Sequence, residues 1–372
     1  MKSLFSNRAF VSLFATQFLA AFNDNLFKNL LVMWLTFSVQ LDNTSVWVTA
    51  AAALFVLPFM LFSPIAGQLA DKWPRHVLIR VTQTAEVGIM AVAVIGFWLQ
   101  SPSLLLGVLF LMGLQSTLFG PVKYSVLPHF FHGERLVAVN SWWSGGTFVA
   151  IVLGTLAGTG GFLLQGAVEK LMAVAVLVSL LGAWAAWRVP AVPAASPDLP
   201  LQWHILKALR AMLRTFQYQG LAWVMVAISG FWMVGAMVLS QIPLMAETLG
   251  SPGYTLILLL LFAAGIGVGA ALAWYWNRDS LHLGWTGLWY GLIAGLLGIL
   301  VWAWPQLPWV WWPAFTLLAV VGGVMVVPLY VWLQRKIEDR LRGRLFAALN
   351  VLNALFMVVG TGGLMVWHLM GL

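Results

Sequence analysis

The chain has 372 residues, of which 62% are apolar and only 8% charged, with a net charge of +8 and a mean hydropathy of +0.92. A soluble surface needs roughly a quarter charged residues, so a soluble enzyme, a secreted domain and a disordered chain are excluded. What remains is an all-α integral membrane protein, since the apolar runs are continuous and lack the ~10-residue alternation of a membrane β-barrel.

A crossing helix needs ~20 apolar residues. Eleven spans are expected, at about 9–37, 45–70, 77–99, 103–123, 137–163, 167–188, 220–247, 254–276, 283–304, 307–333 and 345–370. The first apolar stretch, Phe10 to Phe37, is too long for a cleavable signal. Connections are short except at 189–219, which opens with Pro190, Pro193, Pro197 and Pro200 and reads as a stiff, extended linker. It continues as LQWHILKALRAMLRTF, where Lys207, Arg210 and Arg214 recur opposite Leu206, Leu209 and Leu213. That spacing predicts an amphipathic helix on the membrane surface. The expected organisation is a six-helix bundle over 1–188, the linker over 189–219 and a five-span bundle over 220–372.

The N-terminus and the loops after the even-numbered spans hold 17 of the 19 basic residues. Positive charge stays inside, so the N-terminus and the linker are expected at the cytoplasmic face. Scattered through short loops, these residues do not form a nucleic-acid surface.

Span 1 carries Phe22-Asn23-Asp24-Asn25-Leu26-Phe27-Lys28-Asn29 at its middle. Ionisable groups at that depth cost ~2.5–3.5 kcal/mol each on insertion scales and usually face a cavity or a partner. Gln17, Asp24 and Lys28 share one helix face. Two readings are open: an Asp24–Lys28 pair that makes the span insertable, or a polar stripe lining a translocation cavity. Pairing alone leaves Gln17, Asn23, Asn25 and Asn29 unexplained, which favours the stripe.

Between spans 2 and 3 lies Gly67-Gln68-Leu69-Ala70-Asp71-Lys72-Trp73-Pro74-Arg75-His76. Glu86 in span 3 lies about nine residues, or ~13 Å, from its basic end. Lys123 closes span 4, so the two are expected within reach, as a structural pair or as substrate contacts.

The two halves repeat weakly. Pro121 in span 4 matches Pro328 in span 10, Asn140 opening span 5 matches Asn350 opening span 11, and Gly158 matches Gly360, at separations of 207, 210 and 202 residues. An offset of six spans preserves orientation, which is the pattern of a transporter built from parallel repeats. The milder polar groups of the second half, Gln241, Asn350 and Asn353, join Asn140 as candidate cavity residues. The spans of that half carry no ionisable residue in their interiors; Glu247 stands at an outer end. Gly265-Ile266-Gly267-Val268-Gly269 reads as close helix packing. Trp302, Trp304, Trp309, Trp311 and Trp312 crowd one turn, as an interfacial aromatic belt does.

No G-x-x-x-x-G-K-[ST] motif and no Gly-Lys pair occurs, which argues against ATP drive within this chain. No His-x-x-x-x-Asp pair of a glycerolipid acyltransferase occurs, and no catalytic set is assigned. Cysteine is absent and the histidines are scattered, so no metal or cofactor is expected.

The 67–76 segment resembles the loop signature of the major facilitator superfamily, G-x-L-A-D-R-x-G-R-R, at the place where that family carries it. The resemblance implies a two-bundle transporter. Gly67 would permit close helix approach, and Asp71 and Arg75 would form charge contacts between the halves in one conformation and release them in the other. Pro74 stands where the family prefers Gly. An ordinary positive-inside loop is the alternative. TQFLAAFNDNLFKNLLV, FGPVKYSVLPHF and LVAVNSWWSGGTFVAIVLGTLAG resemble the lysophospholipid transporter branch of that superfamily, in particular members joined to or beside a 2-acylglycerophosphoethanolamine acyltransferase. This implies a bacterial inner-membrane protein that moves lysophospholipid from the outer to the inner leaflet for reacylation, with membrane lipids and an acyltransferase as partners. The family has twelve spans against the eleven expected here, so either the native chain is longer or the last helix is dispensed with. Some members carry an arginine in span 7, where this chain reads Val238-Leu239-Ser240-Gln241. Two rivals remain: the same fold with another small amphipathic cargo and Asp24 as a proton-coupling carboxylate, or a scaffold that docks an acyltransferase.

Overall fold

The computed structural model describes residues 2–39, 44–165, 168–204, 207, 209, 210, 220–251, 253–304 and 306–370. Among them there are eleven long helices and no strand. These are α1 (Arg8–Phe37), α2 (Thr44–Lys72), α3 (Arg75–Trp98), α4 (Pro102–Ser125), α5 (Gly133–Gln165), α6 (Val168–Trp187), α7 (Leu221–Thr248), α8 (Gly253–Asn277), α9 (Thr286–Ala303), α10 (Pro308–Lys336) and α11 (Asp339–Leu369). Each matches one expected span. Several run beyond it, because hydropathy marks only the apolar part of a helix. The Asn7 side chain caps α1, accepting the N–H groups of Ala9 and Phe10 at 2.9 and 3.1 Å. Ser101 caps α4, ahead of Pro102 in its first turn.

Ten of these helices are long and apolar enough to cross a membrane. The exception is α1. Its 30 residues span ~45 Å at 1.5 Å per residue, but its Asn, Asp and Lys stripe makes it too polar by composition alone.

Contacts divide the chain into two compact units. The first holds Met1–Phe130, Ala150–Gln217 and Ile337–Val351; the second holds Phe131–Val149, Tyr218–Lys336 and Leu352–Leu372. This is a division by contacts, whereas 1–188 and 220–372 divide the chain by sequence. Helices α5 and α11 each give one end to each unit. Within the first unit α1 packs on α6, α2 on α4, and α3 on both α4 and α6. Its core joins Leu26, Phe27, Leu30 and Trp34 of α1 to Met90, Leu109 and Met172.

Within the second unit α8 crosses α10 at close range. A methyl built on Gly265 would stand 2.6 Å from Ala319 Cβ, and one on Gly269 would overlap the Val320 carbonyl. Small residues thus let these backbones meet, as the glycine run predicts. A cavity of about 290 Å³ at one end of this unit is lined by Trp276, Trp285, Trp289 and Pro328 among others.

The amphipathic helix expected after residue 200 lies largely outside the described residues. The linker over 189–204 is an extended segment without helix, laid against the ends of α2 and α3.

Candidate functional site

The polar stripe of α1 meets α3 and α4 in the first unit. Glu86 of α3 is buried, and both its carboxylate oxygens accept amide hydrogen bonds: Oε1 from Asn23 at 2.7 Å and Oε2 from Gln115 at 3.3 Å. The Gln115 amide also donates to the Thr82 carbonyl at 3.2 Å. One residue along, Asp24 accepts the Ser116 hydroxyl at 2.7 Å.

Asp24 and Lys28 do not bind each other. Among the described ion pairs none joins them. Lys28 donates to Asn25 Oδ1 at 3.0 Å and lies 5.5 Å from the centre of the Phe55 ring. Asn25 donates to the Ala21 carbonyl at 2.8 Å. Asn29 donates to the Asn25 carbonyl and lies 3.3 Å from the Thr155 hydroxyl of α5. Lys123 lies 5.8 and 5.4 Å from the ring centres of Phe119 and Tyr124. The charges of Lys28 and Lys123 both act on the Asp24 carboxylate.

Asp24, Lys28 and Lys123 are only half-buried, whereas Glu86 is sealed. The half-buried set is therefore two ammonium groups and one carboxylate, shouldered by three aromatic rings. Glu86 and Lys123 take different partners, and Gln17 is buried. Gln115 and Ser116, which bind Glu86 and Asp24, are not singled out by the sequence patterns above. The signal for them was present, as adjacent polar residues in the middle of span 4.

The remaining candidates lie elsewhere. Asn140 donates to Gln334 at 2.7 Å and to the Leu136 carbonyl at 2.9 Å, within the second unit. Asn353 accepts the Ser229 hydroxyl at 2.8 Å there, and Gln241 is half-buried in α7 of the same unit. Asn350 belongs to the first unit, packed against Gly120 of α4. The second unit also holds an aromatic group that the sequence did not single out. Phe148 stacks on Trp232 at 5.5 Å, and Trp232 donates to the Tyr330 hydroxyl at 3.0 Å.

The 67–76 segment is tied to the start of α11, all within the first unit. Asp71 is fully buried, and its carboxylate accepts the Gly343 N–H at 2.7 Å, the Arg344 N–H at 3.3 Å and Arg344 Nε at 2.9 Å. Arg75, also fully buried, binds Asp339 through a 2.7 Å ion pair and a 3.0 Å bond to its carbonyl. Arg342 joins the same carboxylate at 2.5 Å. A methyl on Gly67 would stand 2.6 Å from Ala347 Cβ and 2.8 Å from Arg344 Cα, so α2 and α11 touch backbone to backbone. We call this set the latch. The corresponding segment of the second half forms only a local turn, with the His282 N–H donating to Asn277 at 2.9 Å.

Bilayer-length helices with half-buried charge within the first of them define a polytopic membrane protein, and buried ion pairs join its second helix to its last. Residues 13–361 match the family model described as Major Facilitator Superfamily, and the chain belongs to that family. It is similar to the lysophospholipid transporter LplT of Photorhabdus laumondii, at 25% identity over 337 residues, covering 88% of this chain and 80% of that one. It is also similar to the LplT of Klebsiella pneumoniae, at 27% over 352 residues, covering 90% and 82%. Among solved structures it is similar to the human organic anion transporter MFSD10, with a TM-score of 0.73 at 14% identity over 95% of this chain and 91% of that one. It matches FucP in the outward conformation with the same TM-score, identity and coverage. These two likenesses concern the fold alone.

Proposed function

We propose that this chain is a secondary transporter of lysophospholipids. It works by alternating access in a bacterial cytoplasmic membrane and moves its substrate from the outer to the inner leaflet, where an acyltransferase restores the second chain. The charge bias of the loops supports a cytoplasmic N-terminus and linker, and so a latch on the cytoplasmic side. We also propose that the six-span and five-span halves move as the two bundles.

One observation carries the reading: Lys28, Lys123 and Asp24 are half-buried, each lysine acts on the Asp24 carboxylate, and no described ion pair joins them, with Phe55, Phe119 and Tyr124 beside them. Two ammonium groups suit a phosphate, and the second carboxylate of the cluster, Glu86, is sealed behind Asn23 and Gln115, which leaves Lys28 and Lys123 as the half-buried cations an anionic group would meet. A sugar would leave the surrounding apolar surface wetted and its own hydroxyls unpaired, which is costly. An amphiphile with one phosphate and one acyl chain satisfies both. The relatives named as lysophospholipid transporters support the same cargo. Intramembrane charge of this kind has no use in a scaffold that merely docks an acyltransferase.

Each buried methylene contributes ~0.8 kcal/mol, so affinity is expected to rise with acyl length and to tolerate changes of head group. Proteoliposomes holding the purified protein test this, by following uptake of an acyl-length series beside a diacyl lipid and a sugar. Preferential transport of long single-chain lipids is the expected result. Equal transport of a short-chain analogue, or free passage of the diacyl lipid, refutes the reading.

A further inference from the structure

The linker over 189–204 is hydrogen-bonded along its length. Arg80 donates to the Val189 carbonyl at 3.0 Å, and His76 Nδ1 lies 3.1 Å from both the N–H and the carbonyl of Val192, accepting from one or donating to the other according to its tautomer. Lys72 donates to the Leu199 carbonyl at 2.7 Å. Gln68 takes both backbone groups of Gln202, the N–H at 2.8 Å and the carbonyl at 3.3 Å. Val189 and Val192 of the linker are themselves buried. All four anchors lie on α2 and α3.

Ser196 differs. Its N–H donates to the Asp71 carbonyl at 2.7 Å, at the last turn of α2, where carbonyls lack a helical partner. Its hydroxyl reaches the Arg340 carbonyl of α11 at 3.4 Å. Ser196 therefore touches both sides of the latch: the residue whose carboxylate holds Gly343 and Arg344, and the turn that carries them.

We infer that residues 189–204 form a strap carried by the first half, with Ser196 as a positioning residue that grips the start of α11 only while the latch is closed. The inference rests on the alternating-access part of the proposed function. When α11 leaves Asp71, the hydroxyl bond to Arg340 breaks and the four anchors persist. Four prolines leave the strap little freedom to gain by detaching. By holding the Asp71 carbonyl, Ser196 also fixes the backbone from which the latch carboxylate projects.

The chain contains no cysteine, so paired thiols can be placed at will. Ser196→Cys with Arg340→Cys, joined by a short thiol crosslinker that reductant cleaves, is expected to arrest lipid flux in proteoliposomes, with reductant restoring it. Lys72→Cys with Leu199→Cys, joined in the same way, is expected to leave flux running. Continued flux in the first pair, or arrest in the second, overturns the inference. A second measurement does not need transport. Ser196→Ala should raise the thiol-labelling rate of Ala348→Cys, buried beside the latch, by about twofold, the low end for one neutral hydrogen bond because 3.4 Å is long for a hydroxyl donor, and Ser196→Thr should restore it. An unchanged rate overturns the strap. Absence of lipid flux in the unmodified protein refutes the proposed cargo instead, and the labelling result still decides the strap.

Discussion

Gly67→Ala adds one methyl to the place where α2 meets α11. Built on the observed backbone, that methyl stands 2.6 Å from Ala347 Cβ, 2.8 Å from Arg344 Cα and 3.0 Å from the Gly343 carbonyl. None of these is the free end of a flexible side chain, so the helices themselves must part. Overpacking of this kind costs about 1–3 kcal/mol. On the proposed alternating access the cost falls only on the latched state, because the contact is lost when α11 moves away. The ratio of unlatched to latched protein should therefore rise about 5- to 150-fold. Ala348→Cys, at a position 1% exposed, reports that ratio through its rate of reaction with a water-soluble maleimide. Gly88→Ala is the control, since a methyl there meets nothing within 4 Å. A labelling rate unchanged by Gly67→Ala, or raised equally by Gly88→Ala, refutes the latch as a two-state element.

Asp24→Asn and Lys28→Gln should each lower transport while the protein still inserts, and the double variant should stay impaired, because the two side chains serve different partners; normal flux in the double variant would return them to a mutual salt bridge. Arg75→Ala removes charge-assisted bonds to Asp339 and should lower stability in detergent by about 1.5–3 kcal/mol, so an unchanged thermal melt would show the ion pair to be inert. Tyr290→Phe loses the hydroxyl bond to the Ala227 carbonyl and should cost about 0.5–1.5 kcal/mol with transport retained; lost transport at full stability would place Tyr290 in the transport pathway.

The apolar runs located the helices well, because each crossing segment announces itself by composition alone. Their ends were less legible. Asp339 to Arg344 reads as a polar loop, yet it forms the first turns of α11 because Asp71 and Arg75 take up its backbone and side-chain groups. Those partners stand more than 260 residues away in the chain, and no local pattern reveals such a pairing. The resemblance of the 67–76 segment supplied the latch residues on one side only. The polar stripe of α1 was visible in the sequence, but its wiring was not. Asp24 and Lys28 at i and i+4 suggest each other, whereas the packing of α4 offers Ser116 to one and leaves Asn25 to the other. The prolines of the linker signalled an extended segment. Its docking on α2 and α3 depends on Gln68, His76 and Arg80, which read individually as loop or helix-end polar residues.

The separation of the latch partners has a consequence for synthesis. Arg75 and Asp339 lie 264 residues apart, a stretch that a ribosome adding 5–20 residues per second needs about 13–53 s to deliver. Throughout that interval the first half sits in the membrane with Asp71 and Arg75 lacking the groups that later bury them. The nascent protein must therefore hold two opposite charges at a helix junction in contact with water or with each other. Only the emergence of α11 closes the site. Maturation of the first unit is thus timed by translation of the last helix, and a ribosome stalled before residue 339 leaves behind a chain with ten of its eleven long helices whose first unit is still unfinished.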